Sequence, residues 1–235
     1  FRPDGGALFF LTARKDDRDQ LHVLPLEGGG EAEALTDLPE GSFGAFLPSP
    51  DGTKIAFTFR ETVAEHTKAW KKEHEHASEQ PWIADDAWHR LDGDGYFGNA
   101  RYTLRLLDLA SREVTLLSDR DALGEYDFDW LPDSSGLIVT RNRSAEPLRD
   151  VPDVGLFRIA LDGTETELPG LPKGTKEAPR VSPDGRWIAY AGDVDETDPW
   201  GTRNTKIYLV PIEGGEPRDL TGHEDHDMAV ATLSD

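Results

Sequence analysis

Cysteine is absent from this sequence of 235 residues, and no stretch of it stays apolar for long. A chain without cysteine cannot form a disulfide, a thiolate zinc site or a thiol nucleophile. That absence fits a reducing compartment, so we expect a cytoplasmic protein. A membrane-spanning helix needs about twenty consecutive apolar residues, and charged residues interrupt every candidate run within a few positions. No membrane role is therefore expected.

Basic residues are scarce relative to acidic ones. The chain has 25 lysines and arginines against 46 aspartates and glutamates, which gives a net charge of −21. The acidic residues are spread along the chain and do not gather in a tail. Such a surface repels phosphate backbones, so a nucleic-acid partner is not expected.

Three catalytic motifs are also missing from these residues: the Gly-x-Ser-x-Gly elbow of α/β-hydrolases, a glycine-rich phosphate loop and a His-Glu-x-x-His helix. The string Asp133-Ser134-Ser135-Gly136 resembles the elbow, but it occupies the turn of a repeat described below, so we assign it to structure. We therefore expect no catalytic residue and no cofactor within this chain.

What the chain does contain is a two-part repeat. The first part is a Pro-Asp-Gly-like turn before a short apolar strand, and these turns begin at Pro3, Pro50, Pro132 and Pro183. In the third turn Gly136 is expected to supply the glycine. The second part is an apolar strand, a polar turn and a polar strand, and it spans residues 21–36, 104–118, 156–168 and 207–221.

Both parts recur in phase, because the prolines are 47, 82 and 51 residues apart and the second parts are 83, 52 and 51 residues apart. A period of about 40 to 50 residues built from strands and turns predicts an all-β fold, a β-propeller with one four-stranded blade per repeat. The predicted repeats are 1–46, 47–120, 121–175 and 176–226, and residues 227–235 are predicted to start a further blade. The long interval requires an insertion, which we place at 61–100 and expect to be partly helical or irregular.

The chemistry of the turn explains why it recurs. Proline presets φ at the first corner, aspartate accepts backbone hydrogen bonds, and glycine takes the positive φ that closes the hairpin. The turn therefore fixes the register of the two strands that flank it.

Clusters of histidines and acids raise the question of a metal site. His66, His74 and His76 lie in a polar stretch whose composition favours a solvated helix, and the segment from His223 to Asp227 lies in a predicted inter-blade loop. Zinc could use the first cluster, and zinc or a hard cation could use the second. The acidic run from Asp193 to Asp198 lacks the central glycine and the distant glutamate of an EF-hand. We favour polar loops in each case and expect no metal.

The end of the insertion is the most unusual segment, because it joins a basic pair to a glycine-rich turn and two aromatics. It reads Trp88-His89-Arg90-Leu91-Asp92-Gly93-Asp94-Gly95-Tyr96-Phe97-Gly98. Arginine can hold a carboxylate with two hydrogen bonds, and an aromatic ring can pack on an apolar side chain. A peptide-facing loop has this composition, and so does a tight turn that merely caps an insertion.

At this point the residues resemble a known family. The Pro-Asp-Gly turn, the strand Ile-Ala-Phe or Ile-Ala-Tyr, and the string from Tyr208 to Thr221 are similar to repeats of TolB-like propellers, which the prolyl oligopeptidase family of serine peptidases shares. The segment from Arg90 to Phe97 is similar to the Asp-Gly-x-Gly-Tyr segment of the acylaminoacyl-peptidase branch. The first resemblance covers nearly the whole chain.

The resemblance implies a seven-bladed propeller, of which about four to five blades are present, and a catalytic α/β-hydrolase domain outside this chain. The propeller would gate the access of short peptides to that domain, and Arg90, Tyr96, His89 and Asp92 would bind the substrate. Open blade edges invite self-association, so we expect a homo-oligomer. Two alternatives stay open: a stand-alone TolB-like propeller that acts as a protein-interaction scaffold, and a complete four- or five-bladed propeller that acts on sugars.

Overall fold

The computed structural model describes residues 1–14, 17–194 and 204–228, and 40% of these residues are strand against 4% helix. The predicted all-β class is therefore confirmed. The chain divides into two compact units, Phe1–Asp119 and Arg120–Asp235. Most of the acidic run at 193–198 and of the predicted further blade at 227–235 lies outside the described residues.

The first unit contains two antiparallel sheets and a small hairpin. The three-stranded sheet consists of β1 (Ala7–Thr12), β2 (Gln20–Pro25) and β3 (Glu33–Ala34). The four-stranded sheet consists, in spatial order, of β4 (Gly41–Pro48), β5 (Lys54–Glu61), β8 (Thr103–Asp108) and β9 (Val114–Ser118). The hairpin pairs β6 (Arg90–Leu91) with β7 (Gly95–Tyr96).

The second unit contains two four-stranded antiparallel sheets. One consists of β10 (Phe128–Trp130), β11 (Gly136–Asn142), β12 (Val154–Ala160) and β13 (Glu165–Glu167). The other consists of β14 (Lys176–Val181), β15 (Trp187–Gly192), β16 (Lys206–Pro211) and β17 (Arg218–Asp219). Each sheet is therefore a meander in chain order, as the repeat predicts, while the number of blades and the closure of a ring stay predictions.

Each unit has its own hydrophobic core, formed where its two sheets pack together. In the first unit Phe9 and Leu21 of the three-stranded sheet pack with Ile55 and Phe57 of the four-stranded sheet. The second core draws on both of its sheets, from residues that include Leu131, Ile138, Leu156, Ile188, Tyr190 and Val210. A sheet of three or four strands gains stability by burying an apolar face against a neighbouring sheet.

Two carboxylates link the sheets of the second unit directly. Asp127 accepts a hydrogen bond from the backbone N–H of Ala178 at 2.8 Å, and Asp129 of β10 accepts one from Val181 at 2.8 Å. Both donors belong to β14, the first strand of the next sheet. Side chains therefore supply bonds between sheets that share no backbone ladder.

The predicted chemistry of the repeated turn is confirmed. In all four turns the aspartate accepts a hydrogen bond from the backbone N–H two residues later, at 2.9 Å for Asp4, 3.0 Å for Asp51 and Asp133, and 3.1 Å for Asp184. The glycines Gly5, Gly52 and Gly185 have φ of 74°, 69° and 68°. The aspartate hydrogen bond is therefore common to all four turns.

One detail of the third turn was predicted wrongly. Ser134, not Gly136, takes the positive φ, at 60°. Gly136 is the first residue of β11, and a side chain there would collide with the carbonyl oxygen of Ile159. This glycine serves the close pairing of β11 with β12, and not the turn.

The four-stranded sheet of the first unit starts earlier than the second predicted repeat. β4 begins at Gly41, whereas the predicted repeat is 47–120. The sheet includes this earlier strand because the strand before the Pro-Asp-Gly turn pairs with the strand after it. The repeat limits themselves stay predictions. The insertion lies where the sequence places it, between β5 and β8, and holds a turn of 3-10 helix (Ala64–His66), the helix α1 (Lys68–Glu73) and the hairpin.

None of the helices in the described residues is long and apolar enough to cross a membrane.

Candidate functional site

The hairpin at the end of the insertion is built by its glycines. Arg90 pairs with Tyr96 and Leu91 with Gly95, so three residues, 92–94, lie between the two paired positions at the tip. Gly93 and Gly95 have φ of 87° and 79°, a left-handed backbone that other residues rarely adopt. The local sequence therefore specifies a tight two-stranded turn with side chains projecting from both strands.

The hairpin brings three of the four predicted substrate-binding residues into contact. The guanidinium carbon of Arg90 lies 5.2 Å from the centre of the Tyr96 ring, and the His89 ring lies 6.2 Å from it. Asp92 is different, because its side chain is fully exposed at the tip and its carboxylate lies 3.8 Å from Arg90. An exposed pair at that distance contributes little energy, so Asp92 adds charge but hardly fixes the geometry.

A buried arginine that we did not predict holds the hairpin to the four-stranded sheet of the first unit. Arg60 of β5 donates from one nitrogen to both carboxylate oxygens of Asp94, at 2.7 and 2.8 Å, and its side chain is only 8% exposed. Its guanidinium also lies 4.3 Å from the centre of the Phe97 ring and 4.6 Å from that of Tyr102. Burial raises the pKa of Tyr102, although the Arg60 charge acts in the opposite direction.

A second ion pair fixes the other side of the insertion. Arg101 donates to the two carboxylate oxygens of Asp86 at 3.0 and 2.9 Å. Asn99 donates to Asp85 at 2.7 Å and accepts the backbone N–H of Asp85 at 2.9 Å. The segment before the hairpin is therefore tied to the segment that leads into β8.

Aromatic side chains of the insertion stack beside the hairpin. The rings of His66 and Trp82 are 3.5 Å apart and nearly parallel, and Trp82 lies 6.3 Å from Tyr96. Between these rings and the end of β5 lies a cavity of about 210 Å³. Its walls are formed by Ser42, Arg60, Glu61, Thr62, Val63, His66, Trp82, Asp94, Tyr96, Phe97 and Ala100.

Sequence reasoning missed Arg60, Trp82 and Asp94, but two of them carry a signal. Arg60 continues a strand whose preceding residues, from Ile55 to Phe59, are buried, and a charge on such a strand needs a partner. Asp94 stands between two glycines and can reach back from the turn. Nothing in the sequence around Trp82 indicates that its ring stacks on His66.

The first histidine cluster serves packing and helix ends. His66 is buried against Trp82, whereas His74 ends α1, where it stacks on Trp70 at 4.1 Å and hydrogen-bonds the Trp70 carbonyl at 2.9 Å. Within the described residues no three histidine, aspartate or glutamate side chains come close enough to hold a metal ion.

In the second unit, acidic side chains gather near the start of β10. Asp121 accepts backbone hydrogen bonds from Leu123 and Glu125, each at 2.9 Å. Glu125 retains contact with solvent, yet the surrounding protein, and then the charges of Asp121, Asp127 and Glu177, raise its pKa to about 7. The Asp121 carboxylate is engaged in local structure, and this region shows no ligand chemistry of its own.

Comparison with known proteins places this fold. No family model matches the chain. Over 140 residues, or 60% of its length, the chain is 33% identical to an uncharacterized peptidase, YuxL, of Bacillus subtilis, and it covers 21% of that protein.

Solved structures give the same result for the fold. The chain matches an acylaminoacyl peptidase from Pyrococcus horikoshii with a TM-score of 0.69 and 17% identity, over 97% of this chain and 32% of that one. It matches TolB from Acinetobacter baumannii with a TM-score of 0.55 and 20% identity, over 93% of this chain and 41% of that one.

The fold is thus that of the propeller domains of acylaminoacyl peptidases and of TolB, which confirms the resemblance noted in the sequence. The chain spans about a fifth of the peptidase relative and about a third of the acylaminoacyl peptidase.

Proposed function

We propose that this chain is the non-catalytic propeller part of a serine peptidase similar to acylaminoacyl peptidase and prolyl oligopeptidase. In this proposal the propeller admits short peptides to a hydrolase domain outside these residues, and the hairpin at 90–96 orients them. The observation that supports it best is the anchored hairpin, in which buried Arg60 pairs with Asp94 and so holds a loop that presents Arg90 and Tyr96 to solvent.

The exposed side chains of the hairpin suit peptide binding. The Arg90 side chain is 53% exposed, and its planar guanidinium can hold a peptide carboxylate with two hydrogen bonds. Tyr96 is 51% exposed and offers a ring face and a hydroxyl. His89 stacks on the same ring and limits its movement, while Asp92 adds a negative charge at the tip. A substrate held by such groups loses orientational freedom before reaction, which speeds a subsequent chemical step.

Gating follows from where such a loop would lie in the parent enzyme. Short peptides would pass the propeller, whereas folded proteins would be excluded, and the serine, aspartate and histidine that react would belong to the hydrolase domain. We further propose that the protein works in the cytoplasm and associates into a homo-oligomer through open blade edges.

The test is steady-state kinetics on the parent enzyme with its hydrolase domain. We expect Arg90→Ala to lower kcat/KM for short peptides by about tenfold or more, in line with the loss of a bidentate charged contact. Arg149→Ala is the matched control, since Arg149 is an exposed arginine of the second unit, and it should leave kcat/KM unchanged. Unchanged kinetics in a folded Arg90→Ala enzyme would remove Arg90 from the site. The 235-residue chain alone should not turn over an aminoacyl chromogenic substrate.

The second candidate is a non-enzymatic scaffold, and the match to TolB over 93% of the chain favours it. The reading frame beyond Asp235 separates the two. A Gly-x-Ser-x-Gly string followed by an aspartate and a histidine supports the peptidase. A stop codon after two or three further blades supports the scaffold.

A further inference from the structure

We infer that the cavity beside the hairpin binds one basic side chain, lysine or arginine, of a peptide. This inference rests on the proposed function and adds the class of side chain that the peptide presents. The cavity is lined by Trp82 and Tyr96 of the insertion and by Glu61 at the end of β5, among other residues.

The size of the cavity suits a single side chain. Its volume is about 210 Å³, below the range of about 300–1,000 Å³ typical of pockets for drug-sized ligands. Three aromatic residues, Trp82, Tyr96 and Phe97, contribute to its walls. Aromatic faces attract both the methylene stem and the cationic end of a basic side chain.

The three rings differ in how much of their surface is accessible. His66 covers one face of Trp82, and Arg60 covers one face of Phe97. Phe97 is buried, Trp82 is half-buried and Tyr96 is 51% exposed, so the accessible aromatic surface of the cavity wall comes chiefly from Tyr96 and Trp82.

The charges on the wall favour a cation. Arg60 is neutralised by its two-oxygen contact with Asp94, so this pair offers no net charge to a guest. Glu61 also lines the cavity, and among the described residues its carboxylate has no hydrogen-bond or ion-pair partner. An acidic guest would be repelled by Glu61, and an apolar guest would gain ring contacts without charge attraction.

Two parts of a peptide carry a suitable cation: a lysine or arginine side chain and the amino terminus. The side chain fits the cavity better because its stem reaches past the rim and packs on the rings, while its head stays near Glu61. The experiment below separates the two sources.

The test is calorimetric titration of the 235-residue chain with three tripeptides. The first has lysine at its centre and blocked termini, the second replaces lysine by norleucine, and the third has norleucine and a free amino terminus. We expect the lysine peptide to bind at least tenfold more tightly than either norleucine peptide. Glu61→Gln should reduce that preference to less than threefold and leave the norleucine affinities unchanged.

Glu65→Gln is the matched control, since Glu65 is an exposed acid of the same insertion that does not line this cavity. It should retain the full preference for lysine. Equal affinities for the lysine and blocked norleucine peptides would overturn the inference, and so would tight binding of the norleucine peptide with the free amino terminus. A lysine preference in the chain, combined with a reading frame that holds no Gly-x-Ser-x-Gly string, would refute the proposed function and leave the pocket standing.

Discussion

Arg60 and Asp94 show how a charge can be buried at low cost in this protein. The Arg60 guanidinium lies between the rings of Phe97 and Tyr102 and both of its charge-assisted bonds go to one carboxylate. Such a pair stabilises the fold little compared with an apolar equivalent, but breaking it leaves a charge without its partner. The pair therefore controls whether the hairpin stays on the sheet.

Removing the charge of Asp94 should therefore destabilise the chain. We expect Asp94→Asn to lower the free energy of unfolding by about 2 kcal/mol, because it weakens two bonds to a buried guanidinium. Urea denaturation followed by circular dichroism measures the change. Asp92→Asn makes the same substitution at the exposed tip of the same turn, and it should change the free energy by less than about 0.5 kcal/mol. Equal effects of the two substitutions would contradict this account.

Glu125 is a second residue whose environment governs its behaviour. The protein around it and three neighbouring carboxylates raise its pKa from 4.5 to about 7. The folded chain therefore holds a proton on Glu125 that the unfolded chain releases at lower pH. The contribution of Glu125 to stability is therefore lost as the pH rises through the window from about 4.5 to about 7, because its carboxyl binds fewer protons in the unfolded state there.

Glu125→Gln should remove this pH dependence. At pH 8 the substitution removes a charge that Asp121, Asp127 and Glu177 repel, so the urea midpoint should rise. At pH 5 the native carboxyl is already protonated, so the midpoint should hardly change. Glu216→Gln, at an exposed position, removes the same charge elsewhere and should shift the midpoint equally little at both pH values. A rise at pH 5 as large as that at pH 8 would disprove the assignment.

Among the elements, the repeated turn is the most uniform. The backbone N–H of the third turn residue donates to the carbonyl of the residue before the proline, at 2.8 Å in three turns and 2.9 Å at Ser134. Positive φ at this position costs little for glycine and about 1–2 kcal/mol for most other residues. The third turn tolerates serine there, which shows that the rest of the turn determines the conformation.

Gly185 allows the cost of that conformation to be measured. Its φ is 68°, and a side chain would meet nothing closer than 3.9 Å, so strain and not collision is tested. We expect Gly185→Ala to lower the free energy of unfolding by about 1 kcal/mol. Gly185→Asn should cost less, because asparagine adopts the left-handed region more readily. Thermal denaturation of both variants checks the order, and an alanine variant as stable as the native chain would refute it.

The elements that sequence could predict are those that local chemistry specifies. Proline, aspartate and glycine specify the turns, and the apolar strands after them recur at a regular spacing in the sequence. The sheets and the position of the insertion could therefore be predicted. Gly136 was misplaced because a glycine needed for strand contact looks the same in sequence as one needed for a turn. Arg60 was missed because Asp94 is 34 residues away, and such a pairing depends on how the insertion folds back.

At the scale of the whole molecule, the large net negative charge is the main feature. A net charge of −21 far exceeds the magnitude of about 2–8 usual for a small soluble domain. Like charges spread over a compact chain repel one another and favour expansion. Salt shortens the range of this repulsion from about 30 Å at 0.01 M to about 8 Å at 0.15 M.

Salt should therefore stabilise the chain. Raising sodium chloride from 10 to 300 mM is expected to raise the thermal midpoint by a few degrees, since screening relieves the folded state more than the expanded one. Circular dichroism at fixed pH follows the transition. Sorbitol at matched osmolality controls for solvent effects and should produce a smaller rise. A midpoint that falls with salt would mean that attractive ion pairs such as Arg60 with Asp94 outweigh the net repulsion.

The carboxylates of Asp127 and Asp129 have a dynamic consequence. They hold the amide hydrogens of Ala178 and Val181, which lie on the first strand of the adjoining sheet. Those two protons become accessible to deuterated water when the seam between the sheets separates. The exchange rates of these two protons would therefore report the opening of that seam. Fraying within either sheet would not report it.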